Sequence, residues 1–231
     1  MDIYVGTSGW AYDWNEGASL AWYVEASGLS AVELNMSFYR FPSESAVAAW
    51  EEAGSRLRWS VKVNRSVTHR HLFNDNAFEV WKRFRDRLEP MDDLVDFYLF
   101  QAPPRMHDAE RLLSFARKTD LLERFALEIR NPALLGDDAV CCRLSEEVTL
   151  VSVDSPDFQR RIFPREIVYL RMHGRTDWYR HDYSEEELRE IRDAICRVDP
   201  GRAYIFFNND HAMLRNARAM SGLITPRVSA A

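Results

Sequence analysis

The stretch Ala31-Val32-Glu33-Leu34-Asn35 decides the fold. Side chains alternate along a strand with a period of two, so Ala31, Glu33 and Asn35 share one face and Val32 and Leu34 the other. A parallel strand sealed on both faces normally reads as a continuous apolar run. This one is interrupted by a carboxylate, and the pattern recurs. Ser60, Lys62 and Asn64 oppose Val61 and Val63; Ala126, Glu128 and Arg130 oppose Leu127 and Ile129. Ser152 and Asp154 oppose Val151 and Val153; Tyr169, Arg171 and His173 oppose Val168 and Leu170; Tyr204, Phe206 and Asn208 oppose Ile205 and Phe207. A small or aromatic residue comes first and a polar or charged one follows toward the C-terminal end. The apolar faces are expected to meet helices. The polar faces are expected to line a barrel interior, with Glu33, Lys62, Glu128, Asp154 and Arg171 in one pocket at the end where barrel enzymes build their sites.

Working outward, strands are expected at Ile3–Gly6, Ala31–Leu34, Arg58–Val63, Phe97–Gln101, Phe125–Ile129, Thr149–Val153, Ile167–Arg171 and Ala203–Phe207. Helical patterns separate them at Ser19–Ser27, Ser43–Ala53, Asn76–Leu88, Asp108–Arg117, Asp137–Glu147, Ser184–Val198 and His211–Ser221. Ser155 to Glu166 reads as short and weakly helical. Ser43 and Ser184 are helix starts, the latter with Glu185, Glu186 and Glu187 in the first turn. Strands alternating with helices imply a parallel sheet with crossover helices. The expectation is an α/β chain forming one TIM-type (β/α)8 barrel over residues 1–224, with a frayed tail over residues 225–231. A doubly wound open sheet is the runner-up. Gly6-Thr7-Ser8-Gly9-Trp10 after the first strand lacks the dinucleotide fingerprint such sheets carry.

The chain has 231 residues, within the range of a single barrel domain. Its formal net charge of -6 argues against a broad surface for duplex nucleic acid. No apolar run approaches the length of a membrane span, and the N-terminus opens as a strand rather than a signal peptide. Cys141, Cys142 and Cys196 offer no CxxC spacing, which fits reduced thiols and a cytoplasmic location.

Beyond these patterns the sequence resembles the YecE-like family, domain of unknown function 72. The resemblance rests on Gly6-Thr7-Ser8-Gly9-Trp10 with Tyr12 and Trp14, on Val32-Glu33-Leu34-Asn35 with Phe38-Tyr39-Arg40, and on Val61-Lys62 with Arg65, Thr68 and His69. It continues through Phe100-Gln101-Ala102-Pro103-Pro104, Leu127-Glu128-Ile129-Arg130, Asp154-Ser155-Pro156, Leu170-Arg171-Met172-His173-Gly174-Arg175 and Phe206-Phe207-Asn208-Asn209-Asp210, in order to about Leu223. It implies a TIM-type barrel and the place of a site, but no reaction. A distant likeness to endonuclease IV-type barrels adds nucleic-acid chemistry as an analogy at the level of fold. The chain departs from the family in a short segment after Trp14 and in Met36, where a small polar residue is usual.

The candidate catalytic residues are Glu33, Glu128, His69 and His173. Carboxylates move protons or pair with cations, and a histidine beside Lys or Arg at a strand end changes charge near neutral pH. The candidate substrate-binding residues are Ser8, Trp10, Asn35, Lys62, Arg65, Gln101, Arg130, Asp154, Arg171, Asn208 and Asn209. Asp210 is expected to cap the last helix. Phe38 and Tyr39 read as core, and Trp10, Tyr12 and Trp14 either plug a barrel end or stack on a base or sugar. Arg40, Lys62, Arg65, Arg130, Arg171 and Arg175 outnumber the nearby acids, which favours a small anionic ligand or single-stranded nucleic acid. The leading expectation is an enzyme, a hydrolase or lyase, acting on a phosphorylated or nucleic-acid-derived substrate. A non-catalytic binder is the alternative, and a metal-dependent hydrolase the third reading. No cofactor motif or HExxH pair is present, so no metal is assigned.

Overall fold

A computed structural model describes residues 1–224 of the chain. The tail expected over residues 225–231 lies outside the described residues. Every named strand pairing is parallel, and helices separate most consecutive strands. The fold class is the TIM-type barrel of α/β proteins. The chain divides into two compact units, Met1–Val32 together with the chain from Ser152 onward, and Glu33–Val151.

In the first unit β1 (Asp2–Thr7) pairs with the opening of β2 (Ala31–Leu34) and with β9 (Arg202–Phe207). Strand β9 pairs with β8 (Ile167–Met172), which pairs with β7 (Ser152–Asp154). Gly6 permits the approach of β1 to β2, since a Cβ there would sit 2.3 Å from the Ala31 carbonyl oxygen. Helix α1 (Leu20–Ala26) is pinned beneath by Tyr23, whose hydroxyl accepts from Thr7 N–H at 3.1 Å and donates to Ala31 O at 2.9 Å. Burial pushes this phenol above its usual range. Helix α7 (Glu185–Val198) starts at Ser184, as expected, with Glu187 closing the capping box. Helix α8 (Met213–Ile224) completes the unit.

The second unit holds β3 (Arg58–Lys62), β4 (Val95–Ala102), β5 (Phe125–Ile129) and β6 (Thr149–Leu150), paired in that order. Its helices are α2 (Glu44–Ala53), α3 (Asp75–Leu88), α4 (Ala109–Thr119), α5 (Pro132–Gly136) and α6 (Asp138–Leu144). Aromatic rings fill the layer between strands and helices. Phe100 stacks on Phe125 at 3.9 Å, and Trp81 and Phe115 close on Phe100 at 5.1 and 5.9 Å. This apolar layer supplies the main driving force for holding helices on the sheet.

Several expectations are corrected. The sixth strand is interrupted at Val151, giving β6 and β7. Ser155 to Glu166 forms no helix. Pro156 and Pro164 disfavour helical backbone at the residues before them, and Arg161 instead bridges Val153 in antiparallel fashion. Asp210 does not cap α8; it opens a separate 3-10 turn, Asp210–Ala212, at a φ of 48°. Tyr39 is not core but 62% exposed, while Phe38 is buried. Trp10 is buried, and Tyr12 stacks on Trp14 at 5.5 Å, which in turn packs near Trp22 and Tyr23.

Candidate functional site

The second unit gathers charge at the C-terminal ends of β3, β4 and β5. Gln101 and Glu128 are register partners on adjacent parallel strands, so their side chains leave the sheet on one face. Gln101 Nε2 donates to Glu128 Oε2 at 2.7 Å. Arg130, two residues on from Glu128, meets Oε1 at 2.8 Å. The alternation read from the sequence therefore places this pair on one face. Glu128 is fully buried, and its acceptor sites are met by a cation and an amide, which is what a buried carboxylate requires.

Lys62 ends β3 with its Nζ 4.4 Å from the centre of the Phe38 ring, within cation–π range. Its carbonyl accepts from Ser37 Oγ at 2.6 Å, and Asn64 Nδ2 donates to Ser37 O at 3.0 Å. The chain then turns because Asn64 Oδ1 accepts from Ser66 N–H at 3.0 Å. A single π-helical turn follows over Ser66–Arg70, closed by His71 N–H to Ser66 O at 3.0 Å. Such turns are rare and occur frequently at functional sites.

That turn delivers His69. Its ring packs edge-on against Phe38 at 5.0 Å, and its Nδ1 meets Thr68 Oγ1 at 2.8 Å. Its carbonyl accepts from the Arg105 guanidinium. Burial, then the charges of Lys62, Arg105 and Arg130, pull the imidazole pKa down to about 4, with Glu128 opposing. His69 is thus neutral at pH 7 among three cations. Arg105 and Thr68 were not among the candidates. The only local signal for Arg105 is its place just beyond Pro103-Pro104 at the end of β4.

The other candidates of this unit are placed as follows. Glu33 is fully buried in β2. Asn35 follows β2, and its Oδ1 is buried without a hydrogen-bond partner among the described residues. Arg65 is exposed at the start of the π-turn, and Arg40 is exposed after Tyr39.

In the first unit Arg171, fully buried in β8, directs Nη2 toward Ser8 Oγ at 3.4 Å. Asp154 ends β7 and is held on every side. Its Oδ1 accepts from Arg160 N–H at 2.7 Å, and its Oδ2 from Tyr183 hydroxyl at 2.8 Å and Arg175 Nε at 3.0 Å. Arg175 also reaches Glu190 at 3.0 Å and Glu187 at 3.7 Å. Burial and the Asp154 charge push the Tyr183 phenol well above its usual range. Gly174 sits at a φ of 111°, where a Cβ would clash with Asp177 O at 2.5 Å, so the loop between these groups needs glycine.

His173 is buried, with Nδ1 3.3 Å from Asn208 Nδ2 and its ring beside Trp178 and Tyr179. Asn209 donates to His181 O at 2.8 Å and to Asn216 Oδ1 at 2.6 Å, tying the loop after β9 to α8. His181 contacts Glu187, and His211 contacts Asp13. These histidines, with exposed His107, are accounted for as loop and surface groups.

Parallel strands carrying buried charge toward their C-terminal ends, with helices between them, define a TIM-type barrel protein of the α/β class. The chain belongs to the family described as protein of unknown function DUF72, whose model matches residues 4–229. A crystal structure of a DUF72 family protein from Thermotoga maritima is 25% identical, covers 96% of this chain and 99% of that one, and aligns with a TM-score of 0.79. Another from Enterococcus faecalis is 20% identical, covers 96% and 94%, and aligns with a TM-score of 0.80. No curated protein matches the chain. No helix among the described residues is long and apolar enough to cross a membrane.

Proposed function

We propose that the protein is an enzyme that binds an anionic, phosphate-bearing substrate beside Lys62, Arg105 and Arg130 and moves a proton through His69. The observation that carries this reading is the neutral imidazole held among three cations and one buried carboxylate. Burial and then those cations lower the imidazole pKa, with Glu128 opposing, and an anion entering beside the cations offsets their part of the shift. The chain as a whole carries -6, so a cationic cluster is a local feature rather than a consequence of composition.

In this reading Lys62 and Arg130 bind the anion, Gln101 and Glu128 orient Arg130, and His69 Nε2 gives or takes the proton. Thr68 on Nδ1 fixes the ring orientation. The substrate is a phosphate ester or a nucleic-acid-derived fragment, and the reaction a hydrolysis or elimination. Glu128 and Asp154, carboxylates a metal site would draw on, are ion-paired with Arg130 and Arg175 respectively, which favours the metal-free reading.

The test is incubation with a panel of phosphomonoesters and short single-stranded oligonucleotides, with products identified by mass spectrometry. Wild-type protein is expected to convert at least one class. His69→Ala should retain binding and slow conversion by about 10²–10⁴-fold, the usual contribution of a general acid or base. Binding without conversion of any substrate would instead establish the non-catalytic binder. Failure to bind any phosphate-bearing compound would reject both.

A further inference from the structure

A cleft beside the π-turn is lined by none of the residues of the Lys62 and Glu128 cluster. It is an open groove of about 700 Å³ between Phe41, Arg70 and His71, and the face of α3 that carries Arg83, Asp86 and Arg87. Residues 83, 86 and 87 recur at helical spacing and share that face. The volume suits a ligand the size of a mononucleotide.

The groups in this cleft divide by what they already contact. Arg87 is committed to the protein: Nη1 donates to Pro42 O at 2.8 Å, and Nη2 lies 3.5 Å from Glu44. These contacts hold the segment that presents Phe41. The Phe41 ring rests edge-on against Phe84 at 5.4 Å and still leaves 41% of the residue exposed. A fixed, exposed aromatic face at the rim of a cleft is a stacking platform. Arg70 and Arg83 are exposed, and neither makes an ion pair among the described residues. Asp86 is the one lining carboxylate not engaged in an ion pair among those residues, so the open charges are two guanidiniums against one acid.

We infer that this cleft is a nucleoside-phosphate site, in which the base stacks on Phe41 and Arg70 and Arg83 hold the phosphate. An inorganic anion alone would leave the exposed ring without a role, and an apolar ligand would leave both guanidiniums without partners. A flat heteroaromatic base joined to a phosphate satisfies both. The ligand is a free nucleotide or a terminal nucleotide of a single strand. The inference stands independently of the proposed catalytic cluster, since it uses none of its residues.

The test is calorimetric titration at low salt of adenosine monophosphate, adenosine, inorganic phosphate and a phosphorylated thymidine oligonucleotide. Wild type, Arg70→Ala/Arg83→Ala, Phe41→Leu and Lys62→Ala are compared, with circular dichroism melts to confirm folding. Adenosine monophosphate or the oligonucleotide is expected to bind the wild type, and which of them binds more tightly identifies the source. The double arginine variant should weaken that binding by about tenfold or more and leave adenosine little changed. Phe41→Leu should weaken nucleotide and adenosine by about tenfold while leaving inorganic phosphate unaffected. Binding that persists in Lys62→Ala and is lost in Arg70→Ala/Arg83→Ala belongs to the cleft, and nucleotide binding lost only in Lys62→Ala would overturn its assignment there. The inference is overturned if neither nucleotide probe binds, if the arginine variant binds as wild type, or if Phe41→Leu has no effect.

Discussion

Arg130 Nη2 lies 2.8 Å from Glu128 Oε1, a cation and a fully buried carboxylate two residues apart on one face of a strand end. The pairing gives the two residues unequal consequences when replaced. Arg130→Ala takes a cation away from a fully buried carboxylate and should cost about 3 kcal/mol. Glu128→Gln removes the charge and keeps a polar group against Gln101, so its cost should be nearer 1 kcal/mol. Urea midpoints of the two variants check the order; equal losses would mean the pair is not a buried ion pair in solution.

Acid should weaken the fold through His69. The ring titrates at about 4 in the folded protein against 6.5 for an ordinary histidine. Between those values the unfolded chain binds more protons, so the contribution is present above pH 6.5 and is lost as pH falls toward 4. His69→Gln should flatten that part of the stability profile. Urea unfolding of both proteins at pH 7 and pH 5 measures it, and identical losses on acidification would remove His69 as the cause.

Tyr183 joins Asp154 to the backbone of Gly174, donating to Oδ2 at 2.8 Å and accepting from Gly174 N–H at 2.9 Å. Tyr183→Phe leaves both partners short of a hydrogen bond in a buried place and should cost about 2 kcal/mol. Asp154→Ala should cost about as much or more, moderated because Arg175 keeps Glu190. Thermal melts report both. Little change in Asp154→Ala would show that the residue is free for ligand after all.

Lys62→Ala should raise the His69 pKa, because Lys62 is the foremost of the charges that lower it. In an Arg70→Ala/Arg83→Ala background it should also abolish phosphate binding while the melting temperature moves little. Histidine ring resonances followed by NMR against pH give the first quantity and calorimetry the second. An unmoved His69 titration would place Lys62 too far away to act on it.

The parts of the fold legible in the sequence are those with local causes. Ala31–Leu34 and Phe125–Ile129 match the expected strands residue for residue, because apolar and polar side chains alternate within each. Ser43 and Ser184 were legible as caps because the capping bond spans three residues. Ser155 to Glu166 was not, since its shape depends on Arg160 and Arg161 folding back on β7. The face shared by Glu128 and Arg130 was legible from period two. What Asp154 does was not, because Arg175 and Tyr183 lie 21 and 29 residues along the chain. Arg105 likewise reaches His69 across 36 residues, a contact no spacing rule encodes.

Titrating His69 with and without inorganic phosphate shows whether the cations around its ring receive an anion. Bound phosphate beside the ring offsets Lys62, Arg105 and Arg130, so the His69 pKa should rise from about 4 toward the ordinary value in wild type. The rise should vanish in Lys62→Ala/Arg130→Ala. A His69 pKa that stays unchanged at saturating phosphate would mean that these cations hold no anion beside the ring.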